Sequence, residues 1–229
     1  MTDRPRISVV VPTLREAAAV GGAVRSAIEC GACEVIVADG GSADGTADAA
    51  REAGAIVLDA RPGRGPQMND GARAASGDVL VFLHADCRLP ADAGEQVRAA
   101  LADAAVIAGG FRQRIDAEGR RFRWLESGNA VRITRFGRVY GDQAMFVRAA
   151  AFFEAGEFPE QPLMEDYELS GRLGRAGRLV LLDGPLIVDA RRWHARGVVR
   201  QTATNWAFVL LYRCGVSPAR LAAWYRAIR

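Results

Sequence analysis

Ile7-Ser-Val-Val-Val11, Glu16 to Glu29 and Glu34-Val-Ile-Val-Ala38 decide the fold. The first run is short, β-branched and stopped by Pro12, which predicts a buried strand. The second carries Val20, Val24, Ala27 and Ile28 on one face of a helix. The third is again a continuous apolar run. Strands that are apolar throughout, rather than alternating, are covered on both faces. Two such strands joined by a helix predict a parallel pair.

Working outward, the alternation continues. Helices are expected at Asp44–Ala53, Gln67–Ala75 and Ala91–Ala102, and strands at Ile56–Leu58, Val79–Leu83 and Val106–Ala108. The second half is less regular. Phe111–Ile115 reads as an extended edge, Phe122–Ile133 as a helix and Ala144–Val147 as a strand. Glu165–Ala176 reads as a helix, followed by strands at Leu179–Leu182 and Leu186–Val188. Val198–Cys214 and Pro218–Ile228 form a helical pair around Gly215. The expectation is one α/β domain over residues 1–229, with a Rossmann-like, mostly parallel sheet and helices on both faces. Residues 1–110 and 111–229 are its two sub-regions.

Composition excludes several classes. With 229 residues, 50% hydrophobic and 25% charged, the chain is an ordinary globular mix. A net charge of +3 is too small to point to nucleic acid. All 30 basic residues are arginine, so Schiff-base chemistry and the P-loop lysine are excluded. Cys30-Gly-Ala-Cys33 lacks the second pair of a zinc site and the context of a redox motif. The four cysteines therefore read as small buried residues. No secretory signal or run of about 20 apolar residues is visible, and a cytoplasmic protein is expected.

In an open parallel sheet, ligands bind beyond the carboxyl ends of the strands. Those ends carry Pro12-Thr-Leu-Arg-Glu16, Asp39-Gly-Gly-Ser-Ala-Asp-Gly45, Arg61-Pro-Gly-Arg-Gly65 with Gln67 and Asn69 beyond, and His84-Ala-Asp86. The turn after the first strand holds no glycine, which excludes a dinucleotide fingerprint. A nucleophile elbow is absent as well.

Four motifs in this order resemble a family-two glycosyltransferase. They are Val9-Val-Val-Pro-Thr-Leu-Arg-Glu16, Val35-Ile-Val-Ala-Asp39-Gly-Gly-Ser-Ala-Asp-Gly-Thr46, Gly77-Asp-Val-Leu-Val-Phe-Leu-His-Ala-Asp86 and Met164-Glu-Asp166. The likeness runs from about residue 6 to 195. His84-Ala-Asp86, Gly141-Asp-Gln143, Pro162 to Ser170 and Ala190-Arg-Arg-Trp193 are similar to a small, soluble bacterial branch. The resemblance implies a GT-A fold and a nucleotide-diphosphate sugar donor. It also implies a divalent metal, Mn2+ or Mg2+, and inversion at the anomeric carbon. Residues 1–110 would then bind the nucleotide sugar and 111–229 the acceptor.

The chemistry asks for the same residue types. A leaving diphosphate gains negative charge that a carboxylate-held divalent ion neutralises. An acceptor hydroxyl needs a general base, on the face opposite the leaving group. By family match, Asp86 is the metal ligand, with His84 in place of the motif's first acid. Asp39 is matched to base reading, Glu16 to ribose or base, and Asp166 to the general base. Pro12 and Thr13 should shape the nucleoside wall, and Arg64, between Gly63 and Gly65, should approach the diphosphate. Asp142, Gln143, Glu165, Arg192 and Trp193 are acceptor-side candidates, with Arg192 also within the diphosphate reading and Trp193 equally a core residue. Arg191-Arg192-Trp193 is similar to the end of the Gln-x-x-Arg-Trp motif of processive synthases, without its glutamine. His194 is a candidate third metal ligand.

A UDP-sugar is favoured over a GDP-sugar, and the acceptor is unknown. The C-terminal helices close the acceptor side, make a homodimer contact or lie on an anionic membrane surface. Two rivals remain: a degenerate, non-catalytic nucleotide-binding module, and a sugar nucleotidyltransferase, whose Gly-rich first loop and lysine are missing here.

Overall fold

Eight strands alternate with helices from Ile7 onward in the computed structural model, which describes residues 4–191, 193 and 197–227. The strands are β1 (Ile7–Thr13), β2 (Glu34–Asp39), β3 (Ile56–Asp59), β4 (Val79–Phe82), β5 (Cys87–Arg88), β6 (Val106–Ile115), β7 (Met145–Arg148) and β8 (Arg178–Val188). The helices are α1 (Ala17–Glu29), α2 (Thr46–Glu52), α3 (Arg64–Ala74), α4 (Ala93–Leu101), α5 (Arg120–Phe136), α6 (Ala149–Glu154), α7 (Glu165–Ala176), α8 (Val198–Arg213) and α9 (Pro218–Ala227). A single 3-10 turn, Gly141–Gln143, precedes β7.

The strands form one sheet in the order β3-β2-β1-β4-β7-β6-β8-β5. β1 pairs in parallel with both β2 and β4, and β2 with β3. β7 runs against both of its neighbours, and β5 runs against β8. The sheet is therefore mostly parallel, and both halves of the chain contribute strands to it.

Period-2 alternation divides the core between the faces. Ile7, Val9 and Val11 of β1, with Val79 and Val81 of β4, pack on α1 and α4 through Val20, Val24 and Val97. Val10, Leu80 and Phe82 point the other way, onto Met68 and Ala72 of α3 and Leu169 of α7. Phe82, Phe152 and Phe158 form an aromatic knot there, with centroids 4.8–5.5 Å apart. α3 lies close against β1: a Cβ at Gly71 would stand 2.4 Å from Val10 Cγ1.

Several expectations change. Phe111–Ile115 is not an edge; it continues β6, which lies between β7 and β8. Gly109 breaks the apolar run in sequence, yet its missing side chain admits the Phe146 ring, 2.6 Å from where a Cβ would lie. The two expected late strands are one strand, β8, running through Gly184-Pro185. α3 begins at Arg64, three residues early, because Pro66 sits in its first turn, where a missing N–H costs nothing. β5 and α6 carry too few residues to show a period. Ile28 is 46% exposed, one residue past the buried Val20–Val24–Ala27 stripe. Cys30 and Cys87 are buried as expected, but Cys33 and Cys214 are exposed; all four are free thiols. No helix among the described residues is long and apolar enough to cross a membrane.

Candidate functional site

The carboxyl ends of β1 and β2 lie side by side, with Thr13 in register with Asp39. There the Asp39 carboxylate accepts hydrogen bonds from Thr13 Oγ1 at 3.0 Å, Ser42 Oγ at 2.6 Å and the Ser42 N–H at 2.8 Å. Gln67 donates to the Thr13 and Ala38 carbonyls at 2.6 and 2.9 Å, closing the corner from α3. The two loops are stitched together as well. Ser42 Oγ accepts from the Arg15 N–H at 2.8 Å, and Thr46 Oγ1 accepts from the Glu16 N–H at 2.9 Å. Asp44 in turn accepts from Thr46 Oγ1 at 2.5 Å, and that bond holds its carboxyl below the usual range.

β4 delivers His84 and Asp86 beyond its own end. The Asp86 carboxylate faces Arg191, whose Nη2 lies 3.4 Å from its Oδ2. The same Nη2 donates to Glu16 Oε2 at 2.7 Å, so one guanidinium from the second half of the chain bridges two carboxylates from the first. The bond to Glu16 and the charge of Asp86 raise the Arg191 pKa. No group of three or more His, Cys, Asp or Glu among the described residues is placed to hold a metal ion. Asp86 and Glu16 do supply carboxylate oxygens that already face a cation. That donor set suits a hard divalent ion whose remaining ligands come from a diphosphate.

The third contribution comes from the start of α7. Met164, at φ 66°, takes the left-handed conformation and turns the chain into the helix. Asp166 then accepts from the Gly141 N–H at 2.7 Å and from the Tyr167 N–H at 2.7 Å, and lies 3.7 Å from Arg64 Nη2. Glycine at 141 leaves room for this approach: a Cβ there would stand 2.8 Å from His84 Nε2 and 3.2 Å from Asp166 Oδ2. Glu165 is 1% exposed and accepts from Arg64 Nε. Burial raises its pKa above the ordinary 4.5; Arg64 opposes that and Asp166 reinforces it. Burial disfavours the Arg64 charge, but Glu165 and Asp166 outweigh it and raise the guanidinium pKa. Three of the non-glycine residues at positive φ flank this region: Arg15, Ala144 and Met164.

Two cavities meet here. The larger, about 400 Å³, is lined by Pro12, Thr13, Glu16, Gln67 and Asp86. The smaller, about 150 Å³, is lined by Asp142, Asp166, Trp206, Phe208 and Val209. Arg64, His84, Leu163 and Tyr225 line both and form their common wall.

The structure thus brings together Pro12, Thr13, Glu16, Arg64, Asp86, Asp142 and Asp166. Asp39 stands behind Thr13 rather than on either cavity wall. Gln143 is fully buried, its amide donating to the Asn129 carbonyl at 3.3 Å. Glu165 is turned from both cavities toward Arg64. Trp193 is 9% exposed, packs in the core and borders a third cavity of about 60 Å³ with His84, Asp86 and Asp142. Arg192 and His194 lie outside the described residues. Sequence reading missed Arg191, which the Ala-Arg-Arg-Trp run offered beside Arg192. It also missed Trp206, Phe208, Val209 and Tyr225, whose helices it had placed on the acceptor side without naming lining residues.

Comparison with known proteins bears on the family and the fold. The chain is 32% identical over 169 residues to the PGL/p-HBAD biosynthesis glycosyltransferases of Mycobacterium bovis and Mycobacterium tuberculosis, matching 67% of this chain and 63% of theirs. It therefore spans less than two thirds of the length of these relatives. Among solved structures, the mannosyltransferase PcManGT of Pyrobaculum calidifontis, in complex with GDP-Man and Mn2+, superposes with TM-score 0.65 at 23% identity, over 95% of this chain and 67% of that one. Glucosyl-3-phosphoglycerate synthase of M. tuberculosis, in complex with Mn2+, UDP-Glc and phosphoglyceric acid, gives TM-score 0.57 at 23% identity, over 93% and 80%. The fold is accordingly GT-A. The model of glycosyl transferase family 2 matches residues 8–154, from β1 through the end of α6, and the chain belongs to that family.

Proposed function

We propose that the protein transfers a sugar from a nucleoside-diphosphate donor to an acceptor hydroxyl with inversion, using Asp166 as general base. The observation that carries this reading is the pair of joined cavities, with Asp86 on one side of the Arg64–His84 wall and Asp166 on the other. Inversion needs the base and the leaving group on opposite faces of the sugar, and a sugar bridging the two cavities would meet that need.

In this reading the larger cavity takes the donor. Pro12, Thr13 and Glu16 border the nucleoside, with Asp39 fixing the strand ends behind them. Uridine is placed ahead of guanosine; the solved neighbours include complexes with UDP-Glc and with GDP-Man. Arg64 and Arg191 face the diphosphate. A divalent metal, Mn2+ or Mg2+, would be held by Asp86 and would neutralise the departing charge. Asp166, held by the Gly141 and Tyr167 N–H groups, takes the proton of the acceptor hydroxyl as the new glycosidic bond forms. Asp142, beside it in the smaller cavity, orients the acceptor.

The test is thermal denaturation with UDP, GDP, CDP and TDP, each with and without manganese. A ligand at about 100 times its Kd adds about 2.7 kcal/mol. A metal-dependent rise with one nucleotide supports the reading and names the base. No rise with any of them removes it.

A further inference from the structure

We propose that the acceptor carries its hydroxyl on an apolar body, an alkyl chain or aromatic ring, seated between the entry to α7 and the α8–α9 pair. This deepens the transferase reading and rests on it. The smaller cavity is polar at one end and apolar at the other. Asp166, Asp142, Arg64 and His84 gather at the end shared with or next to the donor cavity. The remaining lining is mainly apolar, Met164, Trp206, Phe208 and Val209, with Tyr140 and Asn205 beside them, while Leu163 belongs to the wall shared with the donor cavity.

A sugar acceptor displays hydroxyls around its whole perimeter. Against Met164, Phe208 and Val209 most of these would lose water, with only Asn205 and Tyr140 to replace it. A molecule with one reacting hydroxyl and an apolar remainder has the polarity of the cavity itself. The wall is also built to stay in place: Phe208 and Met164 are each 8% exposed and pack with the fully buried Leu221. Phe208 also meets Tyr225 edge-on at 5.7 Å.

A second observation points the same way. Trp206 lines the cavity, yet it is 47% exposed, so it stands at the mouth. One turn further along α8 on the same face, Leu210 is 62% exposed. The apolar surface therefore continues out of the cavity, where a tail longer than the cavity would run.

The experiment uses 4-alkylphenols from ethyl to hexyl as probes, with glucose and mannose as polar controls. Binding to the wild-type chain is read by ligand-observed NMR, with and without the nucleotide found by thermal shift. Turnover is read with the matching nucleotide sugar. The expected result is a Kd that falls about two- to fourfold per added methylene, with the two sugars binding more weakly than hexylphenol. Trp206→Ala, at a half-exposed position that leaves the melting temperature unchanged, should flatten the series at least threefold. Val209→Thr, which keeps the side-chain shape, should do the same more weakly. A flat series, or sugars binding as well as hexylphenol, overturns the proposal. Nucleotide binding with a flat series removes the apolar acceptor and keeps the transferase. A steep series without nucleotide binding keeps the apolar pocket and removes the transferase.

Discussion

The corner around Asp39 and the centre around Arg64 are both polar, yet they are built in opposite ways. At the corner, Asp39, Gln67, Ser42 and Thr46 meet backbone groups and hydroxyls of adjoining loops. Among the described residues neither Asp39 nor Asp44 meets a guanidinium, and the geometry follows from strands in register. At the centre, guanidiniums of Arg64 and Arg191 are answered by carboxylates from distant parts of the chain. The corner is a fixed surface. The centre is a set of ion pairs whose partners can be exchanged for those of a ligand. The contrast teaches which residues set shape and which meet the charges of a reaction.

The contrast breaks most visibly at Asp166. Asp166→Asn should lower turnover by about 100- to 10,000-fold, the usual contribution of a general base, while nucleotide affinity stays within twofold. Unchanged turnover would move Asp166 from chemistry to structure. Kinetics and a nucleotide titration of the same preparation decide it.

Arg64→Ala comes next, and it acts on stability. It leaves Glu165 buried without its cation, at a cost of about 3 kcal/mol; this is the low end for a broken buried pair, because Arg64 is 37% exposed. The pH dependence has a definite sign. The folded-state pKa of Glu165 is raised above 4.5, so its contribution to stability is full below that value and is lost as pH rises through the folded pKa. Arg64→Ala removes an influence that holds this pKa down, so the variant should lose more stability than wild type between pH 5 and pH 8. Glu165→Gln should flatten the profile. Urea melts at both pH values measure this, and equal slopes in all three proteins would refute it.

Gln67→Ala sharpens the other side. It removes the side-chain donor from the Ala38 and Thr13 carbonyls, the latter keeping the Gly40 N–H, and should cost about 1–3 kcal/mol at every pH. A pH-dependent loss would show that the corner is coupled to the charged centre after all. The smallest effect belongs to Arg15→Gly. Arg15 is exposed and holds φ 58°, so glycine should relieve left-handed strain and stabilise by about 0.5–1 kcal/mol. A loss of stability would mean that the Arg15 side chain contributes more than its backbone costs.

How much of this was legible follows the same division. β1, β2, β4 and α7 stood in the sequence because a doubly covered strand and an amphipathic helix each write their own period. The start of α7 at Glu165 was read at the residue, since an acidic first turn marks it. The middle of the second half was less readable. β6 passes through Gly109-Gly110 and β8 through Gly184-Pro185, and each looked like two elements. Their continuity comes from neighbouring strands, which no local window contains. Arg64 was picked out by its flanking glycines, but its partner Glu165 lies 101 residues away. That Arg191 reaches Glu16 and Asp86 depends on which way the chain leaves β8. The far wall of the smaller cavity could be named only once α8 and α9 had a place over α7.

Arg191 gives the larger cavity an internal competitor. Its guanidinium already has two anions, Glu16 at 2.7 Å and Asp86 at 3.4 Å. A dianion that takes the Nη2 of this arginine competes with both carboxylates, and both stand ready to take it back. In the proposed donor site, an incoming diphosphate would give up the free energy of whatever part of those ion pairs it breaks. A pocket furnished in this way is better suited to releasing its ligand after each cycle than to storing it.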